Sequence, residues 1–183
     1  MSCVGRKWLH RIGIASYNCM SARQSERVLD LHQGMQSMGI ICLQGTGEGM
    51  DAEAVRESRV AGYVRLIAGY STKSNSHSGV SISFNTRYFQ REWIHAIAWP
   101  GSAELSGRAL CVRVRNAFLD FTILNVYVPL VDSNGKSKRI AHKLYAWVHD
   151  ALQRLPSRNV PIYCTDANGK LGVRRMGGGA SKS

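Results

Sequence analysis

Four residues of this chain pair useful side-chain chemistry with a place at the end of an apolar run: Asn18 follows residues 12–17, Tyr127 stands just before Pro129 at the end of 118–128, and Asp166 and Asn168 follow 160–164. A further run, 40–44, delivers Gln44-Gly45-Thr46. An aspartate, with an ordinary pKa of ~3.9, is ionised at neutral pH and can accept a proton. Asparagine and tyrosine supply donors and acceptors around it. Taken singly, each residue also has an ordinary structural use. Asn suits a turn after a strand, Tyr packs well on a sheet, and Asp-Ala-Asn-Gly is a common turn sequence. What joins them is position, because strand ends on one rim are where folds of mixed helix and sheet place sites.

The elements that must carry these residues are legible as patterns. Residues 12–17 alternate apolar with small side chains and read as a strand. Over 23–38, Val28, Leu31, Met35 and Met38 fall at helical spacing, and Gly39 is the expected stop. With 40–44 this makes a strand-helix-strand unit. A loop and a short helix are expected over 51–60, and strands over 63–68, 79–85 and 92–99. Leu110, Val112 and Val114 alternate with Cys111, Arg113 and Arg115, and 118–128 is apolar on both faces in places, as a central strand is. A second helix is expected over 138–155, where Ile140, Leu144, Trp147, Val148, Ala151, Leu152 and Leu155 form one stripe. His142, His149, Lys136, Lys138, Arg139 and Lys143 fall on its solvated side. A strand over 160–164 then leads into the Asp166 turn. Strands outnumber helices, so the expected class is α/β (α+β), a two-sheet sandwich flanked by helices. The domain is expected over 12–173, between a tail at 1–11 and a flexible Gly/Ser-rich tail at 174–183.

The chain has 183 residues, 44% of them hydrophobic, which is ordinary for a globular domain. Its 24 Lys and Arg against 12 Asp and Glu give a formal net charge of +12, spread along the chain. Such a field attracts polyanions, and nucleic acid is the expected partner; an anionic membrane surface fits the same number. No run approaches the ~20 apolar residues of a membrane helix. Residues 1–10 contain no apolar core of a secretory signal. The odd cysteine count, five, with no Cys-x-x-Cys pair, points away from a disulfide framework or zinc ribbon and toward a reducing, intracellular setting.

Five segments, in order, resemble the endonuclease/exonuclease/phosphatase superfamily, in particular its retrotransposon (non-LTR, AP-endonuclease-like) endonuclease branch. They are Ile14-Ala15-Ser16-Tyr17-Asn18; Ile41-Cys42-Leu43-Gln44-Gly45-Thr46; Ser78-Gly79-Val80-Ser81-Ile82; Gly107-Arg108-Ala109-Leu110 with Leu124-Asn125-Val126-Tyr127-Val128-Pro129; and Thr165-Asp166-Ala167-Asn168-Gly169-Lys170-Leu171-Gly172. The resemblance implies phosphodiester hydrolysis, most naturally of DNA, assisted by Mg2+ or Mn2+. It implies that Asp166 orients or deprotonates the attacking water, that Asn18 and Asn168 hold that carboxylate and the phosphate in register, and that Tyr127 contacts a phosphate oxygen. Lys170, Arg174 and Arg108 are the expected nucleic-acid contacts. The same superfamily contains phosphatases of lipid and inositol phosphates, but no additional motif points there. A working enzyme of the retroelement type would act in the nucleus.

The chain departs from that pattern. The family places a metal-binding Glu after Leu-Gln, where this chain has Gly45, and glycine offers a hard cation only its backbone carbonyl. Glu48 is a poor substitute, because a metal ligand must be held to a fraction of an ångström. The family's closing Ser-Asp-His element is not found after Asp166, so the C-terminal strands of the second sheet are expected to be missing. The expected result is an impaired enzyme, or a non-catalytic remnant that keeps some affinity for nucleic acid.

Overall fold

Strands that are apolar on both faces need cover from two sides, and the architecture is built around that requirement. The computed structural model describes residues 12–50, 55–71, 78–130 and 135–168. In chain order the elements are β1 (Ile14–Asn18), α1 (Ser25–Gly34), β2 (Ile40–Gln44), β3 (Gly49–Met50), β4 (Arg56–Val60), β5 (Tyr63–Ala68), β6 (Tyr70–Ser71) and β7 (Val80–Asn85). A 3-10 turn at Arg91–Trp93 leads into β8 (Ile94–Ala98), followed by β9 (Ala109–Arg115), β10 (Asp120–Tyr127), α2 (Lys136–Gln153) and β11 (Val160–Asp166).

One sheet has the order β1-β2-β7-β5-β4 and the other β11-β10-β9-β8, with β3 and β6 forming a small ribbon beside them. Between the two sheets lies the main core, where Ile40, Cys42, Val64, Leu66, Ile82 and Phe84 meet Leu110, Val112, Val114, Ile123 and Cys164. The outer faces are covered by the helices. Val28, with Leu31 and Met35 beside it, packs with Ile41, Leu43 and Tyr63 of the first sheet. Ile140, Leu144 and Val148 pack with Cys111, Leu124 and Val126 of the second. The result is the expected two-sheet sandwich flanked by helices, with four strands in the second sheet among the described residues. No helix among the described residues is long and apolar enough to cross a membrane.

Two parallel pairings set the geometry of the rim. β1 runs parallel to β2, with Asn18 opposite Gln44. β10 runs parallel to β11, with Tyr127 opposite Asp166. Parallel strands end on the same side, so each pair delivers its terminal polar residues together.

The structure corrects some boundaries. The short helix expected within 51–60 is instead β4, paired antiparallel with β5 through a turn at Ala61 and Gly62 that has positive φ at both residues. β4 is an edge strand with a largely exposed, charged sequence, so it carries no apolar alternation to announce it. Residues 51–54 lie outside the described set. The first helix ends at Gly34 rather than 38, yet Met35 and Met38 still pack beneath it in the following turns. Along α2, His142 and His149 are exposed as expected. Arg139 and Lys143 are exposed too, and both pair with Glu104. Cys19, Cys42, Cys111 and Cys164 are free and buried, and burial pushes the Cys111 thiol up to about 12.

Candidate functional site

The two sheets meet at the rim through a single short hydrogen bond. Asn18 Nδ2 at the end of β1 donates to Asp166 Oδ2 at the end of β11 across 2.5 Å. The other Asn18 atom, Oδ1, accepts from the Met20 backbone N–H at 2.9 Å, which fixes the amide's orientation. Asp166 Oδ1 accepts from the Asn168 backbone N–H at 3.1 Å. Asn168, in the left-handed region at φ 44°, donates its side-chain Nδ2 to Val128 O at 2.7 Å. The Asp-Ala-Asn turn is thereby tied to both β10 and β1. Tyr127 lies opposite Asp166 in the ladder, and its ring carries the Arg108 guanidinium, Cζ 5.9 Å from the centroid.

Gly45 belongs to the same cluster. Its φ is +64°, and a Cβ placed on it would stand 2.7 Å from Asn18 Oδ1 and 3.7 Å from Tyr127 Cζ. Asn18, Gly45, Arg108, Tyr127, Asp166 and Asn168 are therefore brought together from five distant stretches of chain. Lys170 and Arg174 lie outside the described residues.

Beneath the rim, Gln44 and Asn125 bridge the two sheets inside the core. Gln44 Nε2 donates to Asn125 Oδ1 at 2.7 Å and to Ser16 Oγ at 2.9 Å. Asn125 Nδ2 donates to Leu43 O and Ser81 O, each at 2.9 Å. Both residues are essentially inaccessible. A satisfied polar network of this kind holds sheet against sheet and so holds the rim residues in place. The sequence signal was available, since an amide in the middle of an apolar strand is out of place unless it is bonded there.

Glu48 is committed elsewhere. Its Oε1 accepts from Arg65 Nη1 at 3.0 Å and its Oε2 from Arg65 Nη2 at 2.6 Å. Arg56 adds a contact to Oε1 at 3.1 Å. Arg65 is 3% exposed, and its Nε also donates to Ser81 Oγ. A carboxylate clamped by a buried guanidinium would have to give up that pair to take a divalent ion.

These residues do not fit the metal that the sequence resemblance implies. Mg2+ and Mn2+ favour several hard oxygen ligands. Gly45 offers no side chain, Glu48 is occupied, and no group of three or more His, Cys, Asp or Glu suited to a metal occurs among the described residues. Asp166 is the one carboxylate that the described cluster brings to the rim.

Two buried groups near the rim have polar atoms without a hydrogen bond among the described residues. Arg108 is 8% exposed, and its Nε and Nη1 make no hydrogen bond. Burial pulls its pKa below the usual arginine value, an effect that Tyr127 opposes. Thr46 Oγ1, one residue beyond Gly45, is likewise buried and unbonded.

No family model matches this chain, and no curated protein matches it in sequence. Solved structures do match. AP endonuclease LMAP from Leishmania major superposes with a TM-score of 0.54 at 18% identity, covering 85% of this chain and 54% of that one. The catalytic domain of APE2 from Xenopus laevis gives 0.56 at 21% identity, covering 85% and 58%. An AP endonuclease from Archaeoglobus fulgidus gives 0.55 at 21% identity, covering 86% and 58%. The likeness is one of fold, and the chain spans a little over half the length of these structures. The two-sheet sandwich described above is the endonuclease/exonuclease/phosphatase fold.

Proposed function

We propose that this chain is part of a DNA phosphodiesterase of the retroelement endonuclease type, and that its site binds a phosphodiester but hydrolyses it poorly. The carrying observation is the rim cluster, in which Asn18 donates to Asp166 across 2.5 Å directly beside Gly45. The ordered motifs, the fold it has in common with AP endonucleases, and the net charge of +12 support the same reading.

In this reading Asp166 is the proton acceptor for a water molecule. One of its oxygens is held by Asn18 and the other by the Asn168 backbone, so the carboxylate keeps a single orientation. Tyr127 and Asn168 face the phosphate. Lys170, Arg174 and Arg108 are proposed as contacts to the nucleic-acid backbone, which position the strand without reading its sequence. Impairment follows from charge. Phosphodiester hydrolysis builds negative charge on oxygens, and its rate depends on preorganised positive groups placed where that charge develops. The described residues do not assemble a cation site to provide it.

The test is nicking of supercoiled plasmid by the whole chain with Mg2+ present. Little or no cleavage is expected, together with salt-dependent binding of duplex DNA. Efficient nicking that Asp166→Ala abolishes would overturn the impairment, and the absence of DNA binding at low salt would overturn the nucleic-acid reading. Gly45 favours a second reading, a non-catalytic binder. It predicts that any residual nicking survives Asp166→Ala.

A further inference from the structure

The rim presents apolar side chains to solvent on both sides of Asp166. Among the described residues the most exposed large hydrophobics are Phe118, Met20 and Leu130, at 88%, 82% and 68%. Phe118 lies in the hairpin between β9 and β10, at the end away from the rim. The other two bracket the candidate site. Met20 is two residues beyond Asn18 on the first sheet and gives its backbone N–H to Asn18 Oδ1. Leu130 is two residues beyond Val128 on the second sheet, and the Val128 backbone bonds to Asp166 and Asn168. Two residues of chain reach at most about 7 Å, so both side chains emerge close to the groups that hold the carboxylate.

The exposure of Met20 is enforced by its loop. On one side of it, the Cys19 N–H donates to Gln44 O at 3.0 Å, and Cys19 O accepts from Arg27 Nη2 at 2.9 Å. On the other, the Ala22 N–H donates to Thr46 O at 2.6 Å, and Arg23 Nε donates to Gly47 O at 2.8 Å. Cys19 and Ala22 are both buried. Between these anchors Met20 and Ser21 have φ of 54° and 150°, values that residues with a side chain rarely adopt. Turning Met20 inward would break the anchors, so the thioether is held out in water. A single exposed apolar side chain needs no explanation. Two of the three most exposed, on opposite sheets and beside one carboxylate, do.

We infer that Met20, supported by Leu130, is an apolar wedge that enters an unstacked base step of DNA lying across the rim, so that the site selects DNA already loosened at that step. This rests on the nucleic-acid reading above and adds to it the feature of the substrate that is selected. Methionine and leucine are among the side chains that proteins insert between base steps, unstacking them and kinking the duplex. Unstacking costs least where pairing is already broken. Neither side chain offers the donors that distinguish one base from another, so selection is by deformability rather than by sequence. Basic charge with exposed apolar side chains also suits an anionic membrane, but membrane binding scales with buried apolar area, and two side chains supply little. A base step is filled by one or two.

The full chain is titrated, with EDTA present, against two fluorescein-labelled duplexes that are alike except for one central mismatch, read by anisotropy. A 2-aminopurine beside the mismatch reports unstacking as a rise in fluorescence. The wild type is expected to bind the mismatched duplex about tenfold more tightly and to give the fluorescence rise. Met20→Ala is expected to lose most of the preference and the rise. Its binding to the paired duplex should change less than about threefold, because charge contacts supply that binding. Its thermal midpoint should match the wild type, since the side chain is exposed. Met20→Leu, of similar volume, should keep both signals, and Leu130→Ala should lose a smaller part. Equal binding of the two duplexes by the wild type, or a preference that survives in Met20→Ala/Leu130→Ala, would overturn the inference and leave the nucleic-acid reading standing. Met20-dependent binding to phosphatidylserine vesicles, with no preference between the duplexes, would overturn it in favour of a membrane. If neither duplex binds, the inference and the nucleic-acid reading both fall.

Discussion

Glu48→Ala is expected to be among the most destabilising single changes near the rim, and its size follows from the geometry of one ion pair. Arg65 is 3% exposed and donates to both Glu48 oxygens, at 3.0 and 2.6 Å, with Ser81 Oγ as its remaining partner at 3.1 Å. Removing the carboxylate leaves a buried guanidinium with one neutral acceptor. Breaking a buried pair from one side costs about 3–5 kcal/mol. The contact from Arg56, whose side chain is 53% exposed, adds little to this. A domain of this size has a total stability of about 5–15 kcal/mol, so roughly a fifth or more would be lost. At about 2–4 °C per kcal/mol for 150–250 residues, the thermal midpoint should drop by roughly 6–20 °C.

The assay is far-UV circular dichroism on wild type, Glu48→Ala, Arg65→Met and the double variant Glu48→Leu/Arg65→Met. The double variant should recover most of the loss, because two apolar side chains leave no unpaired charge. A Glu48→Ala midpoint within about 2 °C of wild type would refute the reasoning, since the carboxylate would then have been free for other work. By the same physics, neither EDTA nor Mg2+ should move the wild-type midpoint; a rise with Mg2+ would mean that an ion competes with Arg65 for Glu48.

Other expectations follow from single features. Gly45→Glu should not produce Mg2+-dependent plasmid nicking. It should cost about 1–2 kcal/mol from the left-handed backbone alone, besides a Cβ placed 2.7 Å from Asn18 Oδ1; recovered cleavage that depends on Asp166 would show this to be wrong. His32 gives a pH dependence. Its Nδ1–H donates to Val28 O and its Nε2 bonds with Ser83 Oγ, and burial lowers its pKa, which favours the neutral ring. The unfolded ring titrates near ~6.5. Stability is therefore fully present above that value and falls as pH drops below it, because the unfolded chain takes up the proton first. Urea unfolding at pH 7.5 and 5.5 checks this, and equal stability at the two values refutes it. Asp120, held well below the usual carboxylate range first by Arg113 and then by Asn159 and Arg158, acts in a separate and lower window. Its contribution is present above ~3.9 and is lost as pH falls further.

Much of this was legible because the signals were local. β2, β7 and β9 announce themselves by apolar side chains that the sandwich buries. The α2 stripe, with Ile140, Leu144, Val148 and Ala151 buried, matches its spacing. Asn18, Tyr127 and Asp166 were placed at strand ends by sequence, and the parallel pairings then had to bring those ends to one rim. What escaped depends on partners distant in sequence. β4 is charged because it is an edge, so its pattern resembles a polar loop. The ribbon of β3 and β6 has two residues per strand, too few for any period. The commitment of Glu48 depends on Arg65 beside it in space, although a lone arginine within the apolar stretch of β5 was a sign that a buried counter-charge existed. The unbonded state of Arg108 could not be read at all, since it depends on what surrounds the side chain rather than on its own segment.

Gly45 and Asn18 show why this departure from the family pattern is more than one missing side chain. If only the carboxylate had been lost, the backbone at 45 would still suit a glutamate, and Asn18 would leave its space open. Instead φ at Gly45 is +64°, where a side chain is strained, and Asn18 Oδ1 stands within 2.7 Å of the Cβ position. That amide is doubly fixed, by Met20 on one side and by Asp166 on the other. Restoring the glutamate therefore requires a change of backbone conformation and the release of the hydrogen bond that orients Asp166. The cluster is internally consistent as it stands, with the asparagine beside its aspartate and Arg108 Nε and Nη1 without a hydrogen bond among the described residues.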